Sequence, residues 1–122
     1  MTLQPADVEG SAVKGEQYLT RAAQYGKVYD HGSTWVSDLL VMKALPNGLG
    51  LSRYGFSVSR RVGKAVIRNR TKRLLREILR KMILKPGWDI IFIVRPRATG
   101  ADFSAFQRSV YGVLSRAGFL AE

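Results

Sequence analysis

The chain has 122 residues, enough for one domain with its own core and too few for two. It contains no Cys and a single His, His31, which excludes disulfides, thiolate-held metals, thiol catalysis and His-rich metal sites, and leaves a Ser-His-Asp triad only if His31 is its base. Twenty Lys and Arg against nine Asp and Glu give a net charge of +11, the balance of a protein that meets a polyanion.

Residues 1–16 mix Gly, Pro, Ser and charge without periodicity, and are expected to form a flexible arm ahead of one domain over 17–122. Asp7 and Glu9 and the lack of an apolar stretch argue against a signal peptide. The longest apolar run, Ile90 to Val94, has five residues, far short of the roughly 18 that span a bilayer, so the expected setting is the cytoplasm. Tyr18, Ala22, Tyr25, Val28 and Tyr29 recur at three- and four-residue spacings and predict a first helix from Tyr18 to Asp30, closed by Gly32 as a left-handed cap. Trp35 to Ala44 reads as a strand, Pro46-Asn47-Gly48 as a turn, and Arg53 to Ser59 as a second strand pairing with the first as a hairpin.

From about Ala65 to Ile83 a long helix gathers Ile67, Leu74, Leu75, Ile78, Leu79 and Met82 on one face and turns Asn69, Arg73, Arg76 and Arg80 away from it. Asp89 to Arg95 is a continuous apolar run of strand length, which predicts a central strand buried on both faces. Asp102 can cap a last helix, whose Phe103, Phe106, Val110, Val113, Leu114 and Ala117 keep the helical period up to Gly118. The expected fold is α+β: a single-domain αββαβα sandwich with helices on a small, mostly antiparallel sheet.

The charge is concentrated. Between Arg60 and Lys81 stand ten basic residues and one acid, Glu77, so this segment carries nine of the eleven net charges. Lys64, Arg68, Lys72, Arg76 and Arg80 form an unbroken i,i+4 ladder of like charges, a repulsion of about 1–2 kcal/mol in total. A phosphate backbone would turn that cost into attraction, and Arg forks suit bidentate phosphate contact. A merely solvated face, an acidic protein or an anionic membrane explains the ladder less well; the face opposite the charges is aliphatic and looks like core.

The strand–turn–helix from Arg53 to Glu77 closely resembles the signature of the bacterial ribonuclease P protein component. Gly63-Lys64-Ala65-Val66 leads into Arg68-Asn69-Arg70, which matches that family's RNR motif, followed by Lys72-Arg73 and Arg76-Glu77. Weaker resemblance covers Leu19, Arg21, Tyr25, Val28, Tyr29 and Gly32 and the Asp89-Ile90-Ile91 strand, so that residues 18 to 118 fit, in the family's αββαβα order. The resemblance implies a partner RNA that is itself the catalyst, cutting the 5′ leader from precursor tRNA with bound magnesium, while the protein docks on that RNA and contacts the leader. It assigns Arg60, Arg61, Lys64, Arg68, Asn69, Arg70, Lys72, Arg73 and Arg76 to the RNA-facing surface, and Arg21, Tyr25, Tyr29 and Lys43 to the leader cleft. Mg2+ is then expected on the RNA and substrate, with no catalytic residue, metal ligand, membrane contact or obligate protein partner on this chain. Members often carry Lys where Arg60 and Arg61 stand and Phe where Tyr25 stands, and the Lys43 position is often filled otherwise.

Trp35 and Trp88, which flank strands, are expected to pack, as are Phe56, Phe92, Phe103 and Phe106; His31 is expected in a loop near a helix end. The residues of the basic helix alone are also compatible with a structural RNA-binding protein of ribosomal type, which would need no aromatic cleft. A protein-only nuclease is disfavoured because the nine carboxylates are scattered.

Overall fold

A computed structural model gives the fold of residues 17–121; the expected arm over 1–16 lies outside the described residues. Helix α1 spans Ala22–His31 and begins later than its apolar spacing predicts. Gln24 folds back so that its Oε1 accepts from the N–H groups of Thr20 (2.9 Å) and Arg21 (3.0 Å), which fixes the helix start. Tyr18 and Leu19 are instead extended beside Tyr54, where the Leu19 N–H donates to the Tyr54 carbonyl at 2.8 Å. Gly32 is not a left-handed cap: its backbone is extended, with φ −76° and ψ 156°. Glycine is required there for space, since a Cβ would lie 2.5 Å from the Val28 carbonyl oxygen.

The predicted strand over 35–44 is two strands, β1 (Ser33–Val36) and β2 (Leu40–Pro46), joined by a tight turn in which the Ser37 N–H and Oγ both donate to the Leu40 carbonyl. They pair antiparallel, with Trp35 opposite Met42. Strand β3 (Arg53–Ser57) ends two residues earlier than predicted and forms no hairpin with β2. Strand β4 (Trp88–Val94) lies between them in the order β1-β2-β4-β3, antiparallel to β2 and parallel to β3. The reason is the one that made β4 legible: Ile90, Ile91 and Phe92 have no exposed surface, so the strand apolar on both faces takes the middle. Pro46-Asn47-Gly48 accordingly makes no hairpin turn. The Asn47 N–H donates to the Gly87 carbonyl, and its side-chain amide donates to Leu51 and Asp89, tying the chain across the start of β4.

Helix α2 covers Ala65–Arg80 and, after a short 3-10 turn at Pro96–Ala98, α3 covers Phe103–Ala117. Asp102 caps α3 by accepting from the Ala105 N–H at 2.9 Å, and Gly118 closes it with φ +76°. The order is therefore αβββαβα, one strand more than expected, within the expected α+β class and on a mostly antiparallel sheet. On one face of the sheet Met42, Ile90 and Phe92 pack against Leu75, Ile78 and Leu79 of α2 and Phe106, Val110 and Leu114 of α3. Trp35 and Trp88 close this core by packing on Phe119, with ring centroids 5.5 and 4.5 Å away. On the other face α1 seats Val28 on Ile91 and Leu19 in a smaller cluster. Each fully buried aliphatic or Phe side chain contributes about 1.5–3 kcal/mol, so the α2–α3 side is the stronger anchor and α1 the lighter cover. Among the described residues no helix is long and apolar enough to cross a membrane.

Candidate nucleic-acid interface

The basic segment starts in the loop between β3 and α2. Val62 is buried there, and its carbonyl accepts from the Thr99 hydroxyl at 2.7 Å, so the loop is pinned to the body of the protein. Arg60 and Arg61 flank this anchor on the exposed side. Lys64 is the residue before α2, at the end of the helix where unpaired N–H groups and the dipole favour anions. Within α2, Thr71, Leu75, Ile78 and Leu79 are buried, which turns the rest of the surface outward by geometry alone. Asn69, Arg70, Arg73 and Arg76 are exposed, whereas Arg68 and Lys72 are half-buried. The Arg68 Nε donates to the Gly63 carbonyl at 3.2 Å, so this guanidinium is fixed against the helix start.

Few acids meet these bases. Among the described residues the ion pairs are Arg53–Asp89, Arg80–Glu77 and Arg97–Asp38, and only Arg80–Glu77 falls in the segment. The other nine bases from Arg60 to Lys81 have no carboxylate within ion-pair distance there. Arg76 has a different support: its guanidinium lies 5.9 Å from the Tyr18 ring centroid and 5.8 Å from that of Phe56. Sequence reasoning missed this platform because the spacing of Tyr18 had been absorbed into the first helix. Phe56, expected in the core, is only half-buried, and so is Phe103; Phe92 and Phe106 are buried.

The second region is the sheet face under α1. Tyr25 lies over Gly55 of β3, so close that a Cβ at position 55 would stand 2.6 Å from the phenol oxygen. Its hydroxyl donates to the Leu19 carbonyl at 3.5 Å, and partial burial raises its pKa above the ordinary phenol value. Tyr29, one turn later, is 39% exposed. Lys43 and Gly55 both sit opposite Ile91 of β4, in one row across the face that α1 covers, and the Lys43 Nζ donates to Thr34 Oγ1 at 3.0 Å. The structure thus gathers Tyr25, Tyr29 and Lys43 on one face.

Arg21, the residue before α1 and one turn before Tyr25, borders a second feature. It lines a cavity of about 280 Å³ with Gln24, Lys27, Leu45, Asn47, Arg53 and Asp89. At 100° per residue Tyr25 and Tyr29 fall on one flank of the inward-pointing Val28, and Gln24 and Lys27 on the other. In the cavity Arg53 grips Asp89 in a fork, Nε to Oδ1 at 2.8 Å and Nη2 to Oδ2 at 2.7 Å, which raises the Arg53 pKa. The other acids are separate: Glu77 pairs with Arg80, Asp38 with Arg97, Asp102 caps α3, and Asp30 is exposed near the end of α1. No three His, Asp or Glu side chains converge among the described residues. His31 is the exposed last residue of α1.

Comparison with known proteins agrees with this architecture. The ribonuclease P family profile matches residues 13–118. The ribonuclease P protein component of Dehalococcoides mccartyi strain 195 is 47% identical over 110 residues, covering 90% of this chain and 92% of its own. That of Clostridioides difficile is 40% identical over 101 residues, covering 80% and 89%. Among solved structures, the Staphylococcus aureus RNase P protein superposes with a TM-score of 0.78 at 28% identity, over 86% of this chain and 98% of that one. The Thermotoga maritima RNase P protein gives 0.75 at 28% identity, over 81% and 96%.

Proposed function

The chain belongs to the ribonuclease P protein component family, and we propose that it serves as the RNA-binding subunit of a ribonucleoprotein that removes the 5′ leader from precursor tRNA. The observation that carries this reading is the run of bases from Arg60 to Lys81, nine of them without a carboxylate among the described residues. A catalytic RNA docks on Arg60, Arg61, Lys64, Arg68, Asn69, Arg70, Lys72, Arg73 and Arg76, where phosphates relieve the like-charge repulsion of α2. Arg68 and Arg76 are the best prepared of these, one held by the Gly63 carbonyl and the other against two rings.

The leader passes over the face shared by Tyr25, Tyr29 and Lys43. Aromatic rings bind unpaired bases of any identity, which suits a leader of varied sequence. A ribosomal-type protein shares the basic helix but has no need of Tyr25 laid open over a glycine. Among the described residues no three carboxylate or His side chains converge, and Asp89, Glu77, Asp38 and Asp102 are engaged elsewhere, which supports a chain without a magnesium cluster of its own. In this reading magnesium is held by the RNA and the substrate, and the chain contributes affinity and placement.

The test is reconstitution in low magnesium: catalytic RNA and precursor tRNA are mixed with and without the chain. Cleavage restored by the chain supports the reading. Tight binding to the catalytic RNA with no gain in cleavage refutes it and favours a purely structural RNA-binding role.

A further inference from the structure

The cavity on the far flank of α1 has a one-sided chemistry. Arg21 and Lys27 stand exposed at its mouth. On its floor both oxygens of Asp89 are taken, by Arg53 and by the side-chain amide of Asn47, so the acid is neutralised and spent. The Nη1 of Arg53 donates to nothing among the described residues. The same holds for the amide nitrogen of Gln24, whose Oε1 is held by the Thr20 and Arg21 N–H groups. The polar groups left over are all donors, and the two at the mouth carry full positive charges. The first turn of α1 adds unpaired N–H groups and the positive end of the helix dipole. Leu45 and Pro46 form an apolar wall.

We propose that this cavity is a further RNA contact, binding one backbone phosphate of an RNA strand, with Arg21 and Lys27 as the charged clamp and the Nη1 of the Asp89-paired Arg53 and the amide nitrogen of Gln24 as donors behind it. The inference rests on the reading of the chain as an RNA-binding subunit, and it gives Arg21 a partner in Lys27 on the cavity side of α1. The volume, about 280 Å³, is just below the roughly 300–1,000 Å³ of ordinary small-ligand pockets, so it suits a single nucleotide unit rather than a stretch of them. Phosphate fits better than a base edge, because a base edge would bring donors that find no free acceptor. Helix α1 then stands as a rib with RNA on both flanks. The phosphate comes from one of two sources, the catalytic RNA or the leader, and the two are separable.

The experiment compares the wild-type chain with an Arg21→Gln/Lys27→Gln variant over a salt series. One arm measures binding to the catalytic RNA; the other measures binding of the reconstituted complex to precursor tRNA with and without a leader. The expected result is about a tenfold loss of affinity and a log–log salt slope shallower by about one. A loss in the first arm identifies the catalytic RNA, and a loss confined to leader-bearing substrate identifies the leader. The charge-keeping Arg21→Lys/Lys27→Arg variant retains the wild-type slope. Lys85→Gln, at an exposed position outside the cavity, leaves it unchanged; an equal effect there reduces the result to overall charge and overturns the site. Unchanged affinity and slope in both arms of the double variant, with an unchanged melting temperature, also overturn it. Tyr25→Ala run in parallel reports on the cleft alone, so a leader effect there beside a silent double variant keeps the cleft and discards the cavity.

Discussion

A methyl group at position 55 would stand 2.6 Å from the Tyr25 hydroxyl oxygen, so the ring can lie on β3 only while that residue is glycine. Gly55→Ala is expected to lift Tyr25 off the sheet and to weaken binding of leader-bearing precursor without touching RNA itself. Tyr25→Ala removes the ring outright; with stacking worth roughly 1–3 kcal/mol per base, it should loosen leader-bearing precursor by about tenfold. Both variants should bind leaderless tRNA and the catalytic RNA as the wild type does, and parallel titrations of the three RNAs check this. If melting drops sharply and all three weaken together, the ring serves the fold and the leader binds elsewhere. Tyr54 makes a different prediction at the same scale. It is buried, and burial pushes its pKa above the ordinary value of 10. The phenol ionises in the unfolded chain from pH 10 upward while the folded chain keeps it neutral, so its contribution is complete below pH 10 and is lost as pH rises beyond it. Melting temperatures should fall above pH 10, and fall less steeply in Tyr54→Phe.

Helix α2 is where charge and core share one element. Arg73 is exposed and meets no carboxylate among the described residues, so Arg73→Ala should make the salt slope of RNA binding shallower by about one, with little change in melting temperature. A slope that stays put would remove Arg73 from the phosphate contacts. The buried stripe of this helix, its charged surface and the caps of α3 were legible in the sequence, because helical spacing and capping chemistry are local. Strand pairing was not. β3 looked like the partner of the preceding strand because the turn residues between them are those of a hairpin; what decides is β4, thirty residues further on, which alone is apolar on both faces and so lies between them. The bend at Ser37-Asp38-Leu39 was hidden for a related reason, since it interrupts a run whose composition is strand-like throughout. At the site, the RNR helix could be read residue by residue, and Tyr25, Tyr29 and Lys43 came together on one face as expected. Arg21 stands at the start of α1, which the Gln24 Oε1 sets by accepting from the Thr20 and Arg21 N–H groups and which apolar spacing does not reveal.

For the molecule as a whole, the proposed division of labour between protein and RNA predicts that acids outside the core are dispensable. Asp30→Ala, Asp38→Ala and Glu77→Ala should leave the rate of leader removal by the reconstituted complex unchanged at saturating substrate and magnesium, and single-turnover cleavage measures it. A carboxylate whose loss abolishes cleavage there would place chemistry on the protein. The sheet order has a consequence of another kind. β2 and β3 are joined only through residues 88–94, so during synthesis the β1–β2 hairpin is the one strand pair available before Trp88, and two-stranded ribbons are marginal alone. Leu75, Ile78 and Leu79 emerge on an already charged helix before the surface that shields them exists. On the function proposed above, the growing chain presents its polycation before it has a folded body behind it, and the long-range closure of β4 between β2 and β3 is the step that gives the charged surface its shape.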